Sequence, residues 1–255
     1  MDGLVSVLLL GRARALGPAG ERWLTDLPGI VASLARDWDL RLGRELGGGT
    51  AAFVVEANDD LVLKVELPEG DGFGARAAVL AAADGHGYAR LFAHDERRRA
   101  FLLERLAPAQ VGYDEIAQTL PAAWTVDVDV ALRTGAEKAV ELAEFIERRA
   151  DGLDVGRVLE LCASRAAAHD PATAVIVHGD AQAANLLRRA NGEYAFVDPE
   201  PCRCEPAYDL AVAQRHLPEA AGDDAVREWH AIERTSTALE LIRIGAVDEG
   251  RAWLA

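Results

Sequence analysis

The sequence predicts an α+β chain, with an antiparallel β-rich N-lobe over residues 1–105 and a mainly helical C-lobe over 106–255. Three observations carry that division. Between residues 40 and 106 the apolar residues fall into short runs split by glycine and Asn-Asp clusters, the pattern of antiparallel strands. From about residue 110 onward the apolar spacing becomes helical. The helical part is broken once, by Val175-Ile176-Val177 and the segment running to Asp198, and an irregular stretch set into a regular scaffold is where function is sought.

Taken in order, Val5–Leu10 is an apolar run too short to span a bilayer. It follows Asp2 and not a basic segment, and it ends in Gly11-Arg12-Ala13-Arg14 without a small-residue cleavage site, so it reads as a poorly anchored leader or an upstream start. Trp23, Leu24, Leu27, Ile30, Val31, Leu34 and Trp38 then repeat at helical spacing, with Asp26 and Pro28 predicting a restart inside the helix. Leu40–Leu46, Ala52–Ala57 and Leu61–Leu67 form a meander of strands. A short alanine-rich helix, Ala75–Ala83, stops at Asp84-Gly85, and strands follow at Tyr88–Ala93 and Ala100–Leu106. Amphipathic helices are expected near Glu137–Arg149, Val155–His169, Ala207–Leu217 and Asp223–Ile244.

Composition removes several classes. Half the residues are apolar and 27% charged, the range of a soluble globular protein. With 27 basic against 42 acidic residues the net charge is −15, which argues against a nucleic-acid partner, because phosphate backbones need a basic footprint. No membrane partner is expected either. The three cysteines, Cys162, Cys202 and Cys204, form no even disulfide framework and point to a reducing cytoplasm; they read as buried small residues, a structural zinc site normally wanting four ligands.

The chemistry concentrates in His178-Gly179-Asp180-Ala181-Gln182-Ala183-Ala184-Asn185. It follows a buried-looking strand and has an acid and an amide at Asp-x4-Asn spacing, as kinase catalytic loops do. A hairpin comes next. Asn191-Gly192 reads as a two-residue type I′ turn, and in that register residue i faces residue 383 minus i, so Asn185 lies opposite Asp198 with β-carbons about 5 Å apart. Two oxygen ligands sharing one site, with nucleotide phosphates completing the shell, suit Mg²⁺. Asp180 is left to orient an attacking hydroxyl and accept its proton, and His178 to organise the loop beneath it. Each of the three oxygen-bearing residues also has a bland reading as a cap, a turn residue or a strand stop; their joint placement favours chemistry.

Lys64 lies on one face of its strand, with Leu61, Leu63 and Val65 on the other. An isolated strand lysine is ordinarily a solvated charge; the preceding Gly47-Gly48-Gly49-Thr50, which fits a turn over phosphates, favours nucleotide contact. Phe101-Leu102-Leu103-Glu104-Arg105-Leu106 ends the β region as an expected hinge, where backbone groups of Glu104 and Leu106 could pair with a purine.

Several motifs occur in the order found in one family: Gly20-Glu21-Arg22-Trp23-Leu24, Gly48-Gly49-Thr50-Ala51, Leu63-Lys64-Val65, Leu102-Leu103-Glu104-Arg105-Leu106, Val177-His178-Gly179-Asp180, Val197-Asp198-Pro199-Glu200 and Glu205-Pro206-Ala207-Tyr208-Asp209-Leu210-Ala211. The chain thereby resembles the aminoglycoside phosphotransferase superfamily, in particular its streptomycin 6-kinase and hydroxyurea phosphotransferase group. The resemblance implies a bilobal protein-kinase-like fold and an ATP-dependent transfer, GTP being possible, of a γ-phosphoryl group to a hydroxyl of a small molecule. It implies that Asp180 is the catalytic base, that Asn185 and Asp198 hold Mg²⁺, and that Lys64, Gly48, Gly49, Thr50, Glu104 and Leu106 contact the nucleotide. Glu200 and Glu205 are placed at the acceptor, and Asp209 is a structural or substrate-side carboxylate, its place near a helix start favouring structure. The expected partner is a small acceptor, a cationic aminoglycoside first and hydroxyurea or an unidentified metabolite as alternatives; a weakly active nucleotide-binding regulator is the alternative function, and the expected state is a monomer or weak homodimer.

The sequence departs from that family in two places. The helix after the lysine strand normally supplies a glutamate that holds the lysine, and the aligned residue here is Arg76; either Glu69 or Asp71 substitutes, or the enzyme is slow or needs another partner to order the lysine. The loop after Asp180 reads Ala181-Gln182-Ala183-Ala184 where the family has Leu-His-x-Gly.

Overall fold

A computed structural model describes residues 6–47 and 51–254 of the chain. It divides into two compact units, residues 1–107 and 108–255.

The first unit is built on a five-stranded antiparallel sheet of β1 (Leu42–Glu45), β2 (Ala52–Ala57), β3 (Leu61–Glu66), β4 (Leu91–Asp95) and β5 (Ala100–Glu104), in the order β1-β2-β3-β5-β4. Alternation sorts the side chains. Phe53, Val55, Leu63, Val65 and Leu102 face a pair of helices, α1 (Val7–Ala15) and α2 (Pro18–Asp37), whose Leu9, Ala13, Trp23, Leu27, Val31 and Leu34 complete that core. On β3, period two puts Lys64 and Glu66 on the opposite face from Leu63 and Val65. Beyond β3, α3 (Phe73–Ala83) contributes Phe73, which stacks on Phe101 of β5 with centroids 4.3 Å apart.

Two expectations for this unit are corrected. The apolar N-terminal run is no loose leader: from Val7 it is helical, with Leu9 and Ala13 buried in the core. Nor does Pro28 restart α2, which runs unbroken from Pro18 to Asp37. An interior proline costs about 3 kcal/mol relative to alanine, but the buried stripe of Trp23, Leu27, Val31 and Leu34 lies on both sides of it, and each such side chain contributes about 1.5–3 kcal/mol. Burial outweighs the break.

The second unit is mainly helical. Its elements are α4 (Tyr113–Ala123), α5 (Gly135–Arg149), α6 (Gly156–Ala168), β6 (Val175–Val177), β7 (Leu186–Arg188), β8 (Tyr194–Phe196), β9 (Cys202–Cys204), α7 (Ala207–Gln214), α8 (Asp224–Arg243) and α9 (Val247–Leu254). Leu142 and Ile146 of α5, Cys162 of α6, Val177 of β6, Tyr208 and Val212 of α7, and Trp229 and Ile232 of α8 share one core. Tyr208 and Trp229 meet edge to face at 4.9 Å, and the Tyr208 hydroxyl donates to Glu233 at 2.5 Å. Local chemistry starts α5: the Thr134 hydroxyl accepts from the Glu137 N–H while the Glu137 carboxylate accepts from the Thr134 N–H, a reciprocal cap that holds Glu137 below the usual carboxylate range.

Strand β9, α4 and α9 were not anticipated. Pairing of β9 with β6, Val177 opposite Cys202 and Val175 opposite Cys204, turns both cysteines into the core. Burial pushes the Cys162 thiol up to about 11, and a hydrogen bond with Cys202 followed by burial pushes Cys204 up as well. Among the described residues no three metal-capable His, Cys, Asp or Glu side chains cluster, and no helix is long and apolar enough to cross a membrane.

Candidate active site

The site begins where β6 ends. Gly179 has φ +84°, and a Cβ added there would lie 1.9 Å from the Glu200 carbonyl oxygen, so only glycine fits. The close approach lets the Glu200 N–H donate to the His178 carbonyl at 2.7 Å, tying the start of the loop to the segment that leads into β9.

Asp209, in the first turn of α7, lies beneath this turn and is fully buried. One carboxylate oxygen accepts from the His178 N–H (2.7 Å) and from the Trp124 indole (2.9 Å), and the other from the Gly179 N–H (2.9 Å). Burial pushes Asp209 up from the usual carboxylate range, while the Trp124 indole and the two backbone N–H groups oppose that rise. Three donors converging on one carboxylate favour its ionised form. A substrate-side role for Asp209 is therefore corrected: it has no surface to offer an acceptor, and its oxygens hold the loop.

His178 is buried against Phe196, with ring centroids 4.7 Å apart. Its Nδ1 accepts from the Asp180 N–H at 3.2 Å, which leaves the proton on Nε2, 3.0 Å from the Val197 carbonyl it can donate to. The ring thus sets the backbone of Asp180 from below and ties it to the end of β8.

The Asp180 carboxylate is half-buried and held on both oxygens. One meets the Arg215 guanidinium at 3.1 Å; the other accepts from the Gln182 amide at 2.9 Å and the Asn185 amide at 2.8 Å. A single 3₁₀ turn, Ala183–Asn185, folds Asn185 back, and its amide nitrogen also donates to the Asp180 carbonyl at 2.9 Å. With the nitrogen so engaged, the amide oxygen is directed away from Asp180, the orientation a hard cation would use.

The hairpin that follows differs from the type I′ reading. Its register is Leu186↔Phe196, Leu187↔Ala195 and Arg188↔Tyr194, so paired positions sum to 382 and not 383. Ala190, Asn191 and Gly192 form a three-residue loop: the Gly192 N–H donates to the Arg189 carbonyl at 3.0 Å, and Gly192 takes φ +92°. Asn185 is accordingly joined to Val197, through a Val197 N–H to Asn185 carbonyl bond of 2.9 Å, and not to Asp198. Asp198 is the next residue, exposed, with a left-handed backbone at φ +58°.

Other nominated residues fare variously. Glu205 accepts from Arg165 at 3.2 Å and from the Trp229 indole at 2.8 Å, contacts that tie it to α6 and α8. Glu200 is exposed and its backbone closes the Gly179 turn. In the first unit the Glu104 N–H donates to the Arg90 carbonyl at 2.9 Å and its carboxylate accepts from the Arg90 N–H at 2.8 Å, so Glu104 is engaged in ending the sheet. Leu106 is half-buried just beyond β5. Gly48, Gly49 and Thr50 lie outside the described residues.

Lys64 is buried, not solvated. The carboxylate beside it is neither of those expected: Lys64 Nζ lies 3.2 Å from Glu66 on the same strand face, whereas Glu69 pairs with Arg12 at 2.7 Å and Asp71 is exposed. Glu66 was legible, since residues two apart on a strand share a face. Arg215 and Trp124 carried no local signal, and only the tertiary fold brings them to the loop.

A β-rich unit with a buried strand lysine, followed by a helical unit carrying this loop, defines a protein-kinase-like phosphotransferase. The chain belongs to the phosphotransferase enzyme family APH, whose model matches residues 44–240. It is 28% identical over 260 residues to streptomycin 6-kinase of Streptomyces glaucescens, covering 94% of this chain and 82% of that one. It is 30% identical over 217 residues to hydroxyurea phosphotransferase of Kitasatospora aureofaciens, covering 77% of this chain and 63% of that one. In fold it is similar to the choline kinase LicA of Streptococcus pneumoniae, with a TM-score of 0.61 at 14% identity, over 89% of this chain and 97% of that one.

Proposed function

We propose that the chain moves the γ-phosphoryl group of ATP to a hydroxyl of a small antibiotic, a streptomycin-type aminoglycoside first and hydroxyurea second. The observation that carries this reading is the frame around Asp180: a buried His178 and a buried Asp209 fix the loop, and Gln182, Asn185 and Arg215 fix the carboxylate. Such a carboxylate, rigid yet half-exposed, suits a base that orients an acceptor hydroxyl and takes its proton as the oxygen attacks phosphorus. Asp209 touches no substrate in this scheme; it positions the loop.

Asn185 and Asp198 would hold Mg²⁺. The donor set fits, since both offer hard oxygens and the Asn185 nitrogen is already engaged by Asp180. The ion, when bound, would offset negative charge on the phosphates as it develops. Lys64 would bind the α and β phosphates, and Leu106 is proposed at the purine. GTP is the alternative nucleotide. The similarity to streptomycin 6-kinase and the −15 net charge both support a cationic acceptor. The chain is read as cytoplasmic and as a monomer or weak homodimer.

The test is a coupled ADP-release screen with Mg-ATP and Mg-GTP against streptomycin, other aminoglycosides, hydroxyurea and sugar alcohols. Acceptor-dependent release with streptomycin is the expected result. Nucleotide binding without release in the presence of any acceptor would instead favour a regulator.

A further inference from the structure

We propose that Glu66 positions Lys64, and that Arg76 and Arg99 act through Glu66 to set where the lysine amine stands. The inference rests on the reading of Lys64 as a phosphate ligand given above. Four charged side chains from three parts of the first unit meet here: Lys64 and Glu66 on β3, Arg76 on α3, and Arg99 in the turn between β4 and β5. The carboxylate divides its oxygens among them. Oε1 lies 3.2 Å from Lys64 Nζ, while Oε2 lies 2.6 Å from Arg76 and 3.6 Å from Arg99.

The geometry constrains more than a simple pair would. A lysine side chain is a point charge on a flexible stem, so one carboxylate on the same strand would leave it several rotamers. Here the carboxylate is itself immobilised. Arg76 donates from the helix; its guanidinium lies against Gly72, 2.9 Å from where a Cβ would stand. Arg99 is anchored to the carbonyls of Glu69 (2.7 Å) and Gly70 (3.1 Å), with its guanidinium 5.6 Å from the Phe73 ring centre. The β3–α3 loop, α3 and the β4–β5 turn are thereby all referred to one carboxylate.

Burial makes this a device for placement and not for stability. The side chains of Lys64, Glu66 and Arg76 are 11%, 8% and 10% exposed. Ion pairs so buried lose hydration that their attraction hardly restores, and apolar replacements often do as well. The arrangement also explains how arginine can occupy a helix position where the family has glutamate. An arginine facing a lysine is repulsive unless an acid stands between them, and Glu66 does. Restoring an acid at position 76 would therefore set two carboxylates against each other and release the arginine's hold.

The test uses the full chain and Mg-ATP, and measures acceptor-independent ADP release together with affinity for a fluorescent ATP analogue and the thermal midpoint. Glu66→Gln is expected to lower kcat by about a hundredfold, the cost of a misplaced group, when assayed well below its thermal midpoint, which also falls because buried positive charge is left uncompensated. Arg76→Glu is expected to fall comparably, and Glu66→Asp to fall between Glu66→Gln and the unmodified chain. If Glu66→Gln does not fold, Glu66→Asp and Arg76→Gln carry the same test, since both keep the strand intact while shifting the lysine. A folded Glu66→Gln with kcat within about threefold of the unmodified chain, or an Arg76→Glu as active as the unmodified chain, would overturn the inference alone. An unmodified chain that neither binds the analogue nor releases ADP would overturn the phosphotransferase reading and this inference with it.

Discussion

Asp180 is held by contacts that differ in how far they reach along the chain, and this decides which of them a reader of the sequence could see. Gln182 and Asn185 lie within the same turn and belong to the motif, so the loop was legible in His178–Asn185. Asp209 and Arg215 arrive from the two ends of α7 and Trp124 from the end of α4, and the indole of Trp124 reaches a carboxylate 85 positions away. Nothing in local spacing announces such contacts. Two predictions sit at this scale. Asp180→Asn, which keeps the shape and one acceptor oxygen but removes the base and turns an NH2 toward a donor, should lower acceptor-dependent ADP release by about 10²–10⁴-fold, with cooperative melting retained. Gly179→Ala should be far more damaging than its size suggests, because the new Cβ would meet the Glu200 carbonyl carbon and oxygen at 2.7 and 1.9 Å. Loss of both activity and cooperative melting is the expected outcome, and a folded, active Gly179→Ala would contradict the loop geometry.

Among the elements, the strands and most helices were legible from period and punctuation: Leu63 and Val65 alternate with Lys64 and Glu66 along β3, and α5 buries the single stripe Ala139, Leu142 and Ile146. The errors came where one short signal competed with packing. Asn191-Gly192 is a strong type I′ dipeptide, yet the chain uses Gly192 as the left-handed residue of a three-residue loop, and that one-residue difference moves Asp198 out of register with Asn185. Strand β9 is three residues long and carries two cysteines, too little for a period to show. His230 on α8 gives a prediction at this scale. It is buried, with its Nε2 near the Leu217 carbonyl (3.1 Å), and is faced by Arg234 of its own helix and by His216 and the Gln214 backbone from the end of α7. Burial chiefly lowers its pKa below the ordinary 6.5, so below that pH the unfolded chain takes up a proton that the folded chain refuses. The stability from neutral His230 is complete above 6.5 and is lost as pH falls toward the lowered folded value. The thermal midpoint should therefore drop on acidification through that window, and His230→Gln should flatten the drop. Removing the Thr134 cap as Thr134→Ala should destabilise the fold by about 1 kcal/mol in urea titrations.

For the molecule as a whole, the charge of −15 is the property that reaches beyond any contact. A polycationic acceptor would be drawn to such a surface, and screening shortens that reach to about 8 Å at physiological salt. The value of kcat/KM for streptomycin should accordingly fall as sodium chloride is raised, while that for hydroxyurea should stay level. Family membership supports the transfer chemistry, but the account turns on Asp180 as the group that receives the acceptor's proton. The most direct test follows phosphorus itself: ³¹P NMR of Mg-ATP with streptomycin and the full chain. The account predicts a new phosphomonoester resonance that grows one-for-one with ADP and fails to grow with Asp180→Asn. The same resonance growing at an undiminished rate with Asp180→Asn, or ADP accumulating only beside inorganic phosphate, would contradict it.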